Sequence, residues 1–154
     1  MMPMRCDIVT QERTVFSGEV NSVSLPGTEG RMGILPNHSA LLTTLGFGEV
    51  VVRPLAGGEE FFAIGGGFAE VQPTKIIVLA DSAEHADEID IERAETARQR
   101  AEQLMKEGVR EDPDHYAQIQ ASLMRAQIRL DVGRRHAGRR RRTLPSGSLD
   151  EENS

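Results

Sequence analysis

The chain has 154 residues, a formal net charge of −6 and an aromatic content of 4% with no Trp, so a modest core must be filled by aliphatic residues and five Phe. Its single cysteine, Cys6, excludes an internal disulfide and a thiolate zinc site. No apolar run approaches the ~20 residues of a membrane-spanning helix, and we expect a cytoplasmic protein that reaches a membrane only through partners.

The first half of the chain predicts short strands separated by turn residues. Segments rich in β-branched and aromatic residues are bounded by Gly, Pro, Asn or Ser at 7–9, 20–25, 49–53, 60–64, 69–71 and 75–79. The continuous apolar run 76–79 predicts a strand buried on both faces. Three glycines at 65–67 indicate a close backbone approach. This pattern favours an antiparallel sandwich or barrel.

Residues 30–43 predict a loop that is irregular yet rigid. Gly30 and Gly33 permit unusual backbone angles, Pro36 fixes its own φ, and Asn37 tolerates a left-handed conformation. Apolar side chains in such a loop either touch a partner or tuck under the edge of a sheet, and both interpretations stay open on composition alone.

The hydrophobic period changes to that of a helix near Ala86. Asp87 or Asp90 can cap a first helix that ends at about Lys106, before Gly108. Its predicted inward stripe is Ala94, Ala97, Ala101 and Leu104.

A second helix is predicted to begin at the cap Asp112 and Pro113 and to end at about Val132, before Gly133. Its predicted stripe is Ala117, Ala121, Met124 and Ile128. Helices joined so closely form an antiparallel hairpin, whose stability depends on what it packs against. Residues 134–154, which are basic and then acidic, predict a flexible tail.

Several ordered motifs resemble the epsilon subunit of F-type ATP synthases. They are VFSGEVNSVSLPGTEG at 15–30, GILPNHSALLT at 33–43, FAIGGGFAEV at 62–71, VLADSAE at 78–84 and EIDIERA at 88–94. The resemblance covers about residues 5–132. It implies an α+β protein with an N-terminal flattened antiparallel β-sandwich, residues 1–84, followed by a C-terminal antiparallel two-helix hairpin, residues 87–133.

The resemblance also implies a role and partners. The chain would be a non-catalytic rotor subunit that joins the gamma subunit to the membrane rotor ring of c subunits, peripheral to the cytoplasmic face of a bacterial cell membrane. Its hairpin would reach the beta and alpha subunits when extended. The implied gamma and ring contacts are Glu29, Gly30, Arg31, Met32, Ile34, Pro36 and His38. Arg31 departs from the family, which often carries a carboxylate there.

The run Ile89–Ala94 matches a motif, I/L-D-x-x-R-A, that belongs to an ATP site in some bacterial epsilon subunits. The residues that the resemblance assigns to this site are Glu84, Ile89, Asp90, Arg93, Ala94, Arg100, Arg125 and Arg129. ATP would then be a regulatory ligand, with no cofactor required. In the alternative interpretation these arginines pair with acidic residues on a solvated helix face.

Enzymatic signals are weak throughout the sequence. A phosphate-binding G-x-x-x-x-G-K-[ST] loop is absent, and the histidines stand singly, without metal-ligand spacing. Nucleic acid is disfavoured because the arginine run lacks aromatic residues and the chain is acidic. The alternatives to a rotor subunit are a free-standing ATP-sensing module and a stalk piece whose hairpin never moves.

Overall fold

A computed structural model describes residues 3–108 and 112–143, with side chains described as far as 137. Strands occupy the first half and helices the second. The strands are β1 Met4–Val9, β2 Thr14–Gly27, β3 Gly30–Ile34, β4 Leu41–Pro54, β5 Glu60–Gln72, β6 Lys75–Ala80 and β7 Ala83–His85. A 3-10 turn, Ala86–Glu88, leads to helices α1 (Ile91–Lys106) and α2 (Pro113–Thr143).

The strands form one sheet that closes on itself. Its order is β1-β6-β5-β4-β2-β3, β7 pairs with β5, and β1 also pairs with β2. All pairings are antiparallel except that of β1 with β6, in which Cys6 lies opposite Ile76. The predicted N-terminal β-sandwich followed by two helices is confirmed, with one parallel pair at the point of closure.

The sandwich core consists of alternate residues of each strand. Met4, Cys6 and Ile8 on β1 are fully buried, as the two-residue period of a strand requires. Phe62 is also fully buried, and its ring lies edge-on to Phe16 at a centroid distance of 5.8 Å. Full burial of such a side chain stabilises the fold by about 1.5–3 kcal/mol.

Strands β5 and β6 differ from the sequence prediction. The segments 60–64 and 69–71 belong to the single strand β5, because the glycines between them continue the pairing with β4. A Cβ on Gly67 would lie 2.1 Å from the carbonyl oxygen of Leu79, which confirms the predicted close approach. The prediction that β6 is buried on both faces was wrong, because Val78 is fully buried whereas Leu79 is 51% exposed.

The predicted loop 30–43 is largely strand. Gly30–Ile34 forms β3, which pairs with β2 through a hairpin that places Gly27 opposite Gly30. Residues 41–43 begin β4, so that only 35–40 are irregular. Asn37 adopts a φ of 67°, the left-handed conformation expected of it, and its N–H donates to the carbonyl oxygen of Pro73 at 2.8 Å.

Both helices start where the sequence places them. Asp90 caps α1 by accepting a hydrogen bond at Oδ1 from the N–H of Arg93 at 3.1 Å. Asp112 caps α2 by accepting from the N–H of Asp114 at 3.0 Å. Gly108, with φ of 80°, follows the end of α1, as predicted.

The predicted end of α2 at Val132 was wrong, because the helix continues through Gly133 to Thr143. A Cβ on Gly133 would lie 3.0 Å from Cγ2 of Ile89 and 3.3 Å from Cγ1 of Ile91. This glycine therefore serves close packing rather than a helix stop. The first part of the predicted flexible tail is helical, and residues 144–154 lie outside the described residues.

The buried faces of the hairpin also differ from the predicted stripes. On α1, Ala94 and Ala101 are buried but Ala97 is exposed. On α2 the buried residues include Ile119, Ala126 and Leu130. The predicted α2 stripe was wrong: Ala117 and Met124 are exposed, while Ala121 and Ile128 are half-buried.

Candidate functional site

Helix α2 packs against the sandwich along β4 and β5, and this seam holds part of the predicted ATP site. Its apolar centre comprises the buried residues Ala63, Ala86, Ile89 and Val132, with Phe61, Ile91 and Ile128 packed around them. Ile128 and Val132 are four residues apart, so both project from one face of α2. The hairpin is thus attached to the sheet by its own apolar stripe.

An ion pair flanks this apolar centre. Glu84, on β7, accepts a hydrogen bond from Nε of Arg129 at 2.7 Å. Both side chains are about three-quarters buried. Strand β7 positions Glu84 opposite Ala63 of β5, directly beside the seam.

A small cavity opens next to the ion pair, between the sheet and α2. Its volume is about 250 Å³, and its lining includes Glu84 and three guanidinium groups, those of Arg13, Arg125 and Arg129. Arg13 also pairs with Glu88 of the 3-10 turn at 3.1 Å. Clustered guanidiniums with one carboxylate can hold an anion through charge-assisted hydrogen bonds.

Only part of the predicted ATP-site set meets at this cavity. Glu84, Arg125 and Arg129 line it, whereas Arg93 and Arg100 are exposed and do not. Three further residues have structural roles: Asp90 caps α1, and Ile89 and Ala94 are buried in packing. The sequence missed Arg13, because nothing local links the β1–β2 turn to a helix so far along the chain.

Acidic residues of α1 pair with arginines outside the predicted set. Arg98 contacts both Glu95 and Glu102, and Arg134 of α2 pairs with Glu95 at 3.0 Å. The hydrogen bond from Arg98 holds the pKa of Glu95 below its usual value, although burial opposes this. Glu95 and Arg98 are about three-quarters buried, so this network is only partly solvated, and its arginines are not those that the alternative interpretation named.

A second candidate surface lies at the far end of the long strands. Leu42 is 70% exposed, and Phe68 and Leu79 are each 51% exposed. Phe68 of β5 lies directly opposite Leu79 of β6, and Leu42 belongs to the neighbouring strand β4. We refer to Leu42, Phe68 and Leu79 as the outer patch; apolar clusters of this kind commonly mark interaction sites.

The β2–β3 hairpin and the loop after it present most of the predicted partner contacts. Glu29, Gly30 and Arg31 are exposed, and Nη2 of Arg31 donates to Oγ of Ser24 at 2.8 Å.

The remaining predicted contacts of this segment differ in how far their side chains are buried. Met32 packs partly against the core, and Pro36 and His38 are half-buried. Ile34 is 1% exposed and belongs to the core, so a partner cannot reach it. The neighbouring Leu35, 62% exposed, takes that position on the surface.

The described residues contain no helix long and apolar enough to cross a membrane. Nor do they contain a cluster of three or more His, Cys, Asp or Glu residues arranged to hold a metal ion.

Two family models match the two halves of the chain. Residues 3–86 match the model described as "ATP synthase, Delta/Epsilon chain, beta-sandwich domain". Residues 87–133 match the "long alpha-helix domain" of the same chain. The chain belongs to the ATP synthase delta/epsilon family.

Relatives within the delta/epsilon family are similar over most of their length. The ATP synthase epsilon chain of Herpetosiphon aurantiacus is 48% identical over 134 residues, which cover 86% of this chain and 96% of the relative. That of Dehalococcoides mccartyi strain CBDB1 is 48% identical over 139 residues, covering 86% and 93%. A chain in the cryo-EM structure of the Euglena gracilis mitochondrial ATP synthase, at 22% identity, has the same fold, with a TM-score of 0.69 and coverage of 83% and 79%.

Proposed function

We propose that this delta/epsilon family member is the epsilon subunit of the central stalk in a proton-driven F-type ATP synthase. It is not catalytic itself, and it works peripherally at the cytoplasmic face of a bacterial cell membrane. The observation that carries the proposal is the match of both halves of the chain to the family. A closed, cross-linked sheet suits a subunit that must transmit torque, because packed cores deform little.

The sandwich binds the gamma subunit through the outer patch and the c ring through the β2–β3 hairpin and the following loop. Three apolar side chains that are half or more exposed on adjacent strands support a permanent protein partner. Leu35 and Arg31 line one groove at the other candidate contact. The positive charge of Arg31 there requires a neutral or acidic ring surface.

Copurification with the gamma subunit tests this assignment. The variant Phe68→Glu introduces a charge into the patch, and we expect it to lose gamma during gel filtration while retaining its sheet signal in circular dichroism. Leu55→Glu is the matched control, because Leu55 is 48% exposed in the turn after β4. Equal retention of gamma by both variants would show that the outer patch is not the gamma contact. Wild-type protein that elutes without gamma would favour a free-standing ATP-sensing module.

The hairpin regulates ATP hydrolysis in this proposal. Packed against the sandwich it leaves rotation free, and extended along gamma towards the beta and alpha subunits it blocks rotation. A ligand favours the compact form only if it binds that form more tightly. The cavity between the sheet and α2 exists only when the two are packed together, so its occupant would have this property.

ATP is the candidate ligand of this cavity. The guanidinium groups of Arg13, Arg125 and Arg129 favour a polyphosphate. A triphosphate would lie against these guanidiniums in place of the Glu84 carboxylate. We expect calorimetry on the full chain to detect ATP binding that is lost in Arg125→Ala. Arg53→Ala is the control, because Arg53 does not line the cavity. Its Nε lies 3.2 Å from Oε2 of Glu59. No heat at millimolar ATP, or equal binding by both variants, would remove the site.

A further inference from the structure

The last described turns of α2 bind the sandwich beyond the end of the family match at residue 133. Glu49 of β4 is 9% exposed, and it is the charged residue that is buried among the described parts of the chain. A carboxylate removed from water in this way is costly unless it is paired and hydrogen-bonded. Its partners therefore identify a contact on which the packing of the seam depends.

Both oxygens of Glu49 are contacted from α2. Nη1 of Arg135 lies 3.1 Å from Oε1, and Nε2 of His136 lies 2.9 Å from Oε2. The His136 ring also stacks on Phe61 of β5, with centroids 3.6 Å apart and planes 19° from parallel. His136 is thus held by a hydrogen bond on its edge and by an aromatic ring on its face.

The spacing on the helix explains why this contact acts with the seam. Ile128, Val132 and His136 are each four residues apart and so share one face of α2. Gly133, beside this face, permits close packing of α2 against Ile89 and Ile91 at the start of α1. The extension therefore continues the sandwich-facing stripe of the hairpin.

We propose that Arg135 and His136, with Glu49 and Phe61, form a latch that holds the hairpin compact without any nucleotide. When the hairpin swings away, Glu49 becomes solvated and its partners lie elsewhere, so the latch stabilises the compact form selectively. This inference rests on the hairpin movement of the proposed function and deepens it, because the contact lies outside the cavity considered there.

A distance measurement on the isolated full chain tests the latch. Spin labels are placed through Leu42→Cys on β4, where the native side chain is 70% exposed, and Met124→Cys on α2, where the native side chain is 42% exposed. Cys6 is fully buried and does not compete for label. Double electron–electron resonance then gives the ratio of open to compact molecules.

We expect His136→Ala to raise the open-to-compact ratio roughly tenfold, because it leaves a buried carboxylate without one partner. The matched control Arg134→Ala removes a neighbouring surface ion pair and should change the ratio less than about twofold. Glu49→Gln removes the charge and keeps an acceptor, so its effect should lie between the two. A ratio for His136→Ala equal to that of Arg134→Ala overturns the latch.

A check of the fold by circular dichroism keeps the outcome decisive. If His136→Ala loses the sheet signal in circular dichroism, Glu49→Gln alone decides, and a ratio equal to wild type then overturns the proposal. Nucleotide and gamma are absent throughout, so a failed latch leaves the rotor assignment standing. Conversely, failure to bind gamma leaves the latch result unaffected.

Discussion

Asp90 is part of a motif that the resemblance assigns to ATP, yet its Oδ1 accepts the N–H of Arg93 and caps α1. We predict that Asp90→Ala lowers the free energy of unfolding by about 1 kcal/mol, whereas Asp90→Asn, which caps equally well, changes it by only a few tenths. Chemical unfolding followed by circular dichroism measures both values. Equal losses in the two variants would contradict a capping role.

Cys6 is buried in the sandwich, and burial, with a smaller contribution from Asp7, raises the pKa of its thiol from 9.0 to about 12. We predict that it reacts with a thiol reagent at pH 8 at least about a hundredfold more slowly than in urea, because the thiolate is the nucleophile. The unfolded chain ionises first, so this group also lowers stability as the pH rises from 9 towards 12. Rapid reaction of the native protein would refute the prediction.

The structural roles of residues that contact only their sequence neighbours were predictable from the sequence. The roles of residues whose partners lie far along the chain were not. The caps Asp90 and Asp112 and the left-handed Asn37 depend only on their immediate neighbours. Arg13 and Glu49 acquire their roles from α2, far along the chain. No spacing rule reports such a contact.

At the scale of elements, Gly67 allows β5 to approach β6 closely at one end of their pairing. Its φ is 128°, and an added Cβ would meet the carbonyl oxygen of Leu79. We predict that Gly67→Ala destabilises the fold by about 3 kcal/mol or more, since both strain and a backbone clash oppose it. Gly33→Ala, whose Cβ meets no atom within 4 Å, should change thermal stability little. Comparable melting temperatures for the two variants would be inconsistent with the close approach.

The sequence located the elements better than it located their ends and faces. Turn residues revealed most strands, but Gly65–Gly67 divided β5 in the prediction, because a glycine run at a close approach resembles a turn. Gly133 was ambiguous for a similar reason, since a helical glycine serves equally as a stop or as a packing site. The face of α2 was misjudged because that helix contacts both α1 and the sheet, so its apolar residues do not follow one stripe.

For the molecule as a whole, α2 is anchored to the sandwich at two points. Arg129 meets Glu84, and His136 meets Glu49 about two helical turns further on. Only the first point coincides with the predicted ATP site. In the proposed ATP site a phosphate replaces Glu84 at the first anchor, whereas the second anchor involves no ligand.

Removing the hairpin and weakening its second anchor should have opposite effects on ATP hydrolysis in the assembled synthase. Ending the chain after Glu88 removes both helices and should raise hydrolysis while gamma still copurifies, because all seven strands remain. His136→Ala keeps the hairpin but weakens its attachment to the sandwich, so that more molecules adopt the extended, inhibiting form. Hydrolysis should fall by up to about tenfold, the most that a tenfold shift in the open-to-compact ratio allows. Steady-state ATPase rates of the two complexes and the wild type measure this order. Unchanged rates after truncation would mean a hairpin without a braking role, and a higher rate for His136→Ala would mean that the latch belongs to the extended form.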